Sequence, residues 1–480
     1  MHAVQGSEHP AKEEHLMYDA IIVGGGLAGL SAAHRLRHRN ILLLEKEPRF
    51  GGRIRSERRG PHWLNWGAHV YNGPGSATGD LLTSVGIDST PVPGSLAGLA
   101  MNGKLLTSGR VETYPFRVPM SWHDRIALMR AGIKVRLAVM QYSRVAAPRD
   151  GEDYRIRQQR IYDFLGDHTF TDFVGDLPPD ADALFRPTVS RSAGDPEQVS
   201  AGAGVGYFHL VWDRTGGLSR NIVGGPSTLT ETIGAGLGDA AKIGAEVTEV
   251  VHADNHVIVR YRHDGVDHEA TARYAVLATT APVISKIAPD LDPDVRDALS
   301  KIVYGPYVSA AFLTNETSSQ PWDSSYAIAT PKRAFNVFFN MSNAARAAEP
   351  VRGKGSSIMA FSPARFARPL IDRSDDDILD AYYRDLDDIF PGFPNLVEEA
   401  HVQRWPHGLA YCFPGRGALQ PTLTRRGSRI MLAGDFLGTW YTETAVQSGF
   451  AAAQDILSAL ATPTPERSHA LTATIGEHHG

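Results

Sequence analysis

The sequence predicts an α/β protein: a parallel sheet with helices on its faces, an antiparallel β addition, and a discontinuous α+β part built around it. Three observations predict it. Short apolar runs at 18–23, 41–45, 274–278 and 430–433 read as parallel strands buried on both faces. A glycine-rich turn and a helical pattern follow the first run, in the order strand, turn, helix, strand. The alternating stretch "HVIVRYRHDGVDHEATARY" reads as two antiparallel strands around a turn at Asp264-Gly265.

The first unit is "YDAIIVGGGLAGLSAAHRL". Gly24, Gly26 and Gly29 fit G-x-G-x-x-G, with Leu27 and Ala28 between them. In such a turn one glycine permits the bend, one admits a diphosphate to the backbone, and one lets helix and strand pack closely. The diphosphate rests on the free N–H groups of the helix start. Leu27, Leu30, Ala33 and Leu36 keep helical spacing behind the turn. The second strand, "NILLLE", ends in Glu45, 21 positions after Gly24. An acidic side chain there suits a ribose hydroxyl pair, so the unit reads as a Rossmann-type dinucleotide site.

"KEPRFGGRIRS" follows at once. Gly51-Gly52 with Arg53 offers a second approach of backbone and cation to an anion. Near the other end, "RIMLA" runs into Gly434-Asp435, and a small-residue helix is expected from about Thr444. Trp440 and Tyr441 stand between them, either as core filler or as the wall of a site.

These segments resemble the flavin amine oxidase and protoporphyrinogen oxidase superfamily, with phytoene desaturase-like landmarks at "YDFLGD" and "GDPEQVSA". "WLNWGAHVYNG", "VGGPSTLTETIGAGL" and "GDFLGTWYTETAVQSGF" extend the likeness over nearly all of 18–461. The resemblance implies FAD. It implies cofactor contacts from Gly24, Gly26, Leu27, Ala28, Gly29, Glu45, Lys46, Gly52 and Arg53. Gly67, Ala68 and His69 would pass the flavin ring, and Val247 would lie against the adenine. Gly434, Asp435, Thr444 and Ala445 would close the site. Some relatives bind FAD through a cysteine, but the matching position is Gly408 and Cys412 falls four residues late, so non-covalent FAD is expected.

The chemistry implied is hydride transfer from a substrate carbon to flavin N5. Amine oxidases of the superfamily carry a lysine where this chain reads "IVYGPYVSAAFL", at Ser309. They also hold the amine between two aromatics. Tyr441 matches one, Leu409 takes the place of the other, and Tyr411 lies two residues on. Both departures favour removal of two hydrogens from an apolar cyclic substrate beside a carbonyl, with O2 or another acceptor reoxidising the flavin. Amine or amino-acid oxidation to an imine and hydrogen peroxide is the alternative, and a non-redox flavin isomerase or a non-enzymatic binder are lesser ones. His69, Tyr411, Trp440 and Tyr441 are the candidate catalytic residues. Arg404 suits either a substrate carboxylate or a structural aspartate.

The expected organisation is a polar, disordered tail at 1–17, an FAD-binding part from 18–75, 218–300 and 405–461, a substrate-binding part from 76–217 and 301–404, and a tail at 462–480. In 480 residues, 42% are hydrophobic and 21% charged, which suits a sizeable core. The net charge of −5 gives no nucleic-acid footprint. Cys412 is the sole cysteine, which excludes an intrachain disulfide. No metal motif, internal repeat or membrane-spanning run is visible, and a cytoplasmic monomer or homodimer is expected. "DRSDDDILDAYYRDLDDIF" reads as a solvated amphipathic helix. "DRIALMRAGIKVRLAVM" reads as a buried helix with snorkelling bases, and peripheral membrane contact is not expected.

Overall fold

The computed structural model describes residues 17–94, 96–212, 218–346, 353–439 and 441–461. The expected tails, apart from Met17, and Trp440 lie outside them.

β1 (Tyr18–Val23) is the centre of the first sheet. It pairs in parallel with β2 (Ile41–Leu44) on one side and with the strand Val266–Leu277 on the other. Ala241–Lys242 extends the β2 edge in parallel, and Ile430–Leu432 pairs in parallel with Ala275–Leu277. All four residues of β2 are buried, as expected of a strand covered on both faces. The long strand Val266–Leu277 does two jobs. Its C-terminal half belongs to the parallel set. Its N-terminal half pairs antiparallel with Val257–His263, which in turn pairs with Glu246–His252. The turn sits at Asp264-Gly265 as expected, with φ of 51° and 77°, the two positive values a tight hairpin turn requires.

Helix α1 (Leu27–Leu36) and the C-terminal helix Tyr441–Ala461 cover one face together. Gly449 makes their close approach possible: a Cβ there would stand 2.3 Å from the Ala28 carbonyl oxygen. The C-terminal helix begins at Tyr441 rather than Thr444. Tyr441 itself has φ of 47°, so a left-handed aromatic residue turns the chain into the helix.

The second sheet runs Val397–Ala410, Tyr304–Thr314, Ser357–Pro363, Val337–Asn340, Ala327–Ala329, Gly98–Met101 and Lys104–Leu106. It is antiparallel except where Ala327–Ala329 meets Gly98–Met101. Strand Val397–Ala410 runs unbroken across the boundary expected at 404/405. The acidic helix forms at Asp375–Ile389 and buries Ile378, Tyr382 and Leu386, with Ser374 as its N-cap. A separate helical layer contains Trp122–Ala146, Tyr154–Asp163, Pro179–Ser190 and Ala201–Trp212.

The basic helix corrects its expectation. Trp122–Ala146 buries Leu128, Val135, Val139 and Tyr142, but Trp122, Ile133, Leu137 and Met140 on other positions are exposed. Only one face is core. Among the described residues, no helix is long and apolar enough to cross a membrane.

Candidate functional site

The glycine turn builds a cradle at the end of β1. Gly24 takes φ of 103°, and a Cβ there would meet the Ala278 carbonyl oxygen at 2.9 Å. A Cβ on Gly29 would stand 1.9 Å from the Gly24 oxygen, so this glycine lets helix and turn close on each other. Gly26 differs. It is the N-cap of α1, has no side-chain cap, and a Cβ on it would meet nothing within 4 Å. Open space therefore lies where the uncapped first turn presents its N–H groups, from Leu27, Ala28 and Gly29. The second glycine pair crosses the same spot. Gly51 N–H donates to the Gly25 oxygen at 2.8 Å, and a Cβ on Gly52 would stand 3.4 Å from Gly26 Cα.

Glu45 closes one side. Its carboxylate is buried and accepts Gly25 N–H at 2.6 Å and Glu47 N–H at 2.7 Å, one on each oxygen. Each oxygen keeps capacity for another donor. Burial pushes its pKa up, and the two amides pull it back. Ala245 N–H donates to the Glu45 carbonyl at 2.7 Å, which brings Val247 two residues from this strand end. Lys46 is not drawn in. Its ammonium pairs with Glu246 at 2.9 Å on the surface.

Arg53 and Asp435 form the next feature, a two-pronged ion pair at 2.9 and 2.6 Å. Arg53 also donates to the Gly408 oxygen at 3.1 Å. Burial opposes the guanidinium charge, but Asp435 outweighs it and holds the Arg53 pKa above its ordinary value. Gly67 lets the chain pass close by: a Cβ there would stand 2.1 Å from the Arg53 oxygen, and Ala68 N–H donates to that oxygen at 3.1 Å. Gly434 N–H donates to the buried Ser448 hydroxyl at 2.9 Å, tying the last parallel strand to the C-terminal helix. Thr444 and Ala445 are buried in that helix's first turns. From Gly449, against the first turn of α1, to Tyr441 is about 12 Å of helix.

Beyond Arg53 the lining becomes aromatic. The His69 ring stands 4.6 Å from Phe339 and 6.1 Å from Tyr326, and Phe339 stacks on Phe361 at 5.6 Å. Tyr307 packs on Phe361 at 5.4 Å. His69 Nδ1 lies 2.9 Å from the Gly67 oxygen, which only a ring N–H satisfies, and 3.2 Å from the Asn65 side-chain amide; with the proton on Nδ1, Nε2 is an acceptor. Nε2 is buried and has no partner among the described residues. Burial pushes the His69 pKa down to about 4; the Gly67 hydrogen bond works against this and the charge of Arg191 adds to it. Tyr441 is half-buried, with its hydroxyl shut away from water and unpartnered among the described residues, and desolvation raises its pKa far above the usual phenol value.

The second aromatic next to Tyr441 is Tyr207, edge-on at 5.2 Å. It comes from the helix Ala201–Trp212, and its apolar neighbourhood in sequence gave no sign of this role. Tyr411 does approach: it lines a small cavity of about 10 Å³ with Tyr207, Leu409, Asp435 and Tyr441. Trp440 lies outside the described residues. Ser309, at the lysine position, is buried and donates to the Trp66 oxygen at 2.8 Å. Arg404 resolves as structural, donating to Asp375 at 2.6 Å. Cys412 is buried, which pushes its thiol up to about 11. At Gly408 a Cβ would strike the Tyr307 ring at 2.3 Å.

Two residues that sequence reasoning missed hold the parts together. Arg49 donates to the Phe50, Gly52 and Ile54 oxygens and shapes the Gly51-Gly52 loop. Glu443 accepts Ala77 N–H, Thr78 N–H and the Thr78 hydroxyl at 2.8, 3.0 and 2.6 Å, so a carboxylate of the C-terminal helix caps the distant helix Ala77–Ser84.

The chemistry of this set fits a flavin dinucleotide. The open space at Gly26, the uncapped helix start and the Glu45 acceptor suit its diphosphate and ribose.

Comparison with known proteins gives the same picture. The family model described as flavin containing amine oxidoreductase matches residues 27–457. The flavin-containing amine oxidase A of Equus caballus is 24% identical over 497 aligned positions, covering 95% of this chain and 88% of its own. Among solved structures, wild-type putrescine oxidase bound to putrescine superposes with a TM-score of 0.72 at 18% identity, covering 92% of this chain and 99% of that one. Cyclohexylamine oxidase from Brevibacterium oxydans superposes with a TM-score of 0.71 at 17% identity, with the same coverage.

Proposed function

The chain belongs to the flavin-containing amine oxidoreductase family, and from that premise we propose that it is an FAD-dependent oxidase of amines, forming an imine with O2 as the final acceptor. The flavin, when bound, supplies the hydride acceptor. Gly26, the start of α1, Glu45, Gly52, the Arg53–Asp435 pair and the segment Gly67–His69 hold it, without a covalent bond from Cys412. Lys46 contributes through its backbone at most, since its side chain is turned to Glu246.

The observation that carries the reading is the neutral, buried His69 imidazole set against the Phe339 and Tyr326 rings with Nε2 free of any described partner. An amine gives up hydride from its carbon only when its nitrogen lone pair is available. His69 stays neutral at every pH above about 4; too weak a base to deprotonate an ammonium, its Nε2 accepts a hydrogen bond from the neutral amine N–H and holds the nitrogen in place. Tyr441 presents a phenol that stays protonated, its ring held edge-on against Tyr207. Relatives named as amine, putrescine and cyclohexylamine oxidases support this over the desaturation expected from sequence.

Ser309 favours a second reading, C–C dehydrogenation beside a carbonyl, because the family's lysine is missing there. Peroxide formation separates the two. With FAD supplied, release of hydrogen peroxide from putrescine, cyclohexylamine or 2-phenylethylamine, and none from cyclohexanone, supports amine oxidation; the reverse pattern sinks it.

A further inference from the structure

We infer that Arg191 docks a carboxylate of the substrate, so that the amine oxidised at this site is an amino acid. The inference rests on the amine-oxidase reading above and names its substrate class.

Arg191 follows the helix Pro179–Ser190 as its C-cap. Its side chain forms no hydrogen bond or ion pair with any described residue, and its Nε is buried without a partner. The local acids are all committed elsewhere. Asp182 and Glu197 both pair with Arg186, one turn and a half earlier, at 2.7 and 2.6 Å. Asp195 pairs with Arg368 at 3.0 Å. The chain thus carries carboxylates within a few residues of Arg191 and turns none of them toward it. A guanidinium stays charged under all ordinary conditions, and Arg191 is half-buried, with its Nε shut away from water and no counterion beside it. An anion from outside would supply the missing partner.

The surroundings say where the anion would lie. The Arg191 guanidinium stands 6.0 Å from the Phe339 ring centroid, and the same ring packs against His69 at 4.6 Å. Its charge also reaches Tyr441 and Tyr307, against which burial drives its pKa down. One aromatic residue, Phe339, therefore separates the unpaired cation from the free Nε2 of His69. A hydrogen-bond acceptor and a cation thus flank one aromatic ring. An amine with a carboxylate has the matching pair of groups, and a planar guanidinium takes a carboxylate by two parallel hydrogen bonds.

The backbone around Arg191 is held firmly enough to serve. The Tyr307 hydroxyl donates to the Arg191 carbonyl. Ala193, two residues on, takes φ of 69°, and Gly305 admits it so closely that a Cβ there would stand 1.7 Å from the Ala193 oxygen. Strained, tightly packed backbone of this kind collects at ligand sites. The redox step is that of any amine. The C–H bond leaves as hydride to the flavin, the nitrogen loses one proton, C=N forms, and dioxygen takes up both as hydrogen peroxide. The carboxylate is bound and unchanged.

The test uses the FAD-loaded full chain and paired probes: phenylalanine with 2-phenylethylamine, lysine with cadaverine, and ornithine with putrescine. Anaerobic flavin bleaching and peroxide release are followed for the wild type and for Arg191→Met and Arg191→Lys. At least one amino acid is expected to react with a KM at least about tenfold below that of its decarboxylated partner, one bidentate charged contact being worth this much or more. Arg191→Met should raise that KM about 100-fold while leaving the decarboxylated amine little changed, with Arg191→Lys between. Benzoate should perturb the wild-type flavin spectrum at least about tenfold more tightly than benzamide, which tests the cation even if the variants fail to fold. Preference for the decarboxylated amine, or equal binding of benzoate and benzamide, overturns the inference and leaves amine oxidation standing. No reaction with any amine or amino acid sinks both.

Discussion

Arg53 and Asp435, 382 positions apart in sequence, meet in a two-pronged ion pair that joins the second glycine loop to the start of the last motif. Asp435 is 9% exposed and Arg53 about a third, so the pair sits at the wall of the chamber rather than on the surface. Breaking it leaves one charge desolvated, which costs about 3 kcal/mol or more for a buried pair. Asp435→Asn and Arg53→Met should each lower the flavin-to-protein absorbance ratio of the purified chain and its thermal midpoint. Full flavin retention in both variants would remove this pair from the cofactor site.

Two glycines of one motif should behave in opposite ways. Gly29→Ala puts a methyl 1.9 Å from a backbone oxygen and should destabilise the fold by about 1–3 kcal/mol with or without FAD. Gly26→Ala meets no protein atom and has φ of −73°, so the fold should be untouched. Its methyl would instead occupy the space assigned to the diphosphate, and the FAD dissociation constant should rise about tenfold or more. Denaturation curves and FAD titration of the two variants check this; equal flavin affinity for wild type and Gly26→Ala would move the diphosphate elsewhere.

Acid should weaken the fold through two histidines. Burial is the main cause that lowers His34 and His69 to about 4 from the usual 6.5, and Arg37 and Arg35 add to it at His34. The unfolded chain then binds more protons than the folded one between these values. Stability is fully present above pH 6.5 and is lost as pH falls from 6.5 towards 4. Thermal midpoints measured across that window should fall, and His34→Gln, which removes one of the two groups, should flatten the slope.

Tyr441 pays a backbone cost to stand where it does. A bulky residue at φ of 47° carries strain on the order of 1–3 kcal/mol. Tyr441→Ala should lower turnover at least about tenfold while changing flavin retention little, since its ring packs edge-on to Tyr207 and lines the small cavity with Tyr411. Rapid release of FAD from this variant would make Tyr441 a cofactor wall instead.

The nucleotide half was legible because its signals are local. Gly24 to Gly29, Glu45 and the strand Ile41–Leu44 declare their roles within one strand–helix–strand unit, and the hairpin turn at Asp264-Gly265 does so within two residues. The chamber was much less legible. Tyr207, Arg191, Phe339 and Tyr307 come from four separate elements and meet only when the second sheet and the helical layer close on Arg53. Arg191 looked like any arginine until the partners of Asp182, Asp195 and Glu197 were known. Glu443 was similarly silent, because a carboxylate that caps a helix 365 residues away leaves no local pattern. The basic helix Trp122–Ala146 was misread for another reason: apolar residues on several faces look alike whether or not a neighbour covers them.

The most direct measurement is the visible absorption of the purified chain supplied with FAD, followed without oxygen as primary amines and amino acids are added. Oxidised-flavin bands that bleach on addition of the amino compound, and return with hydrogen peroxide when air is admitted, are the expected result. A chain that stays colourless with FAD present, or a bound flavin that bleaches with cyclic ketones and never with an amino compound, would contradict it.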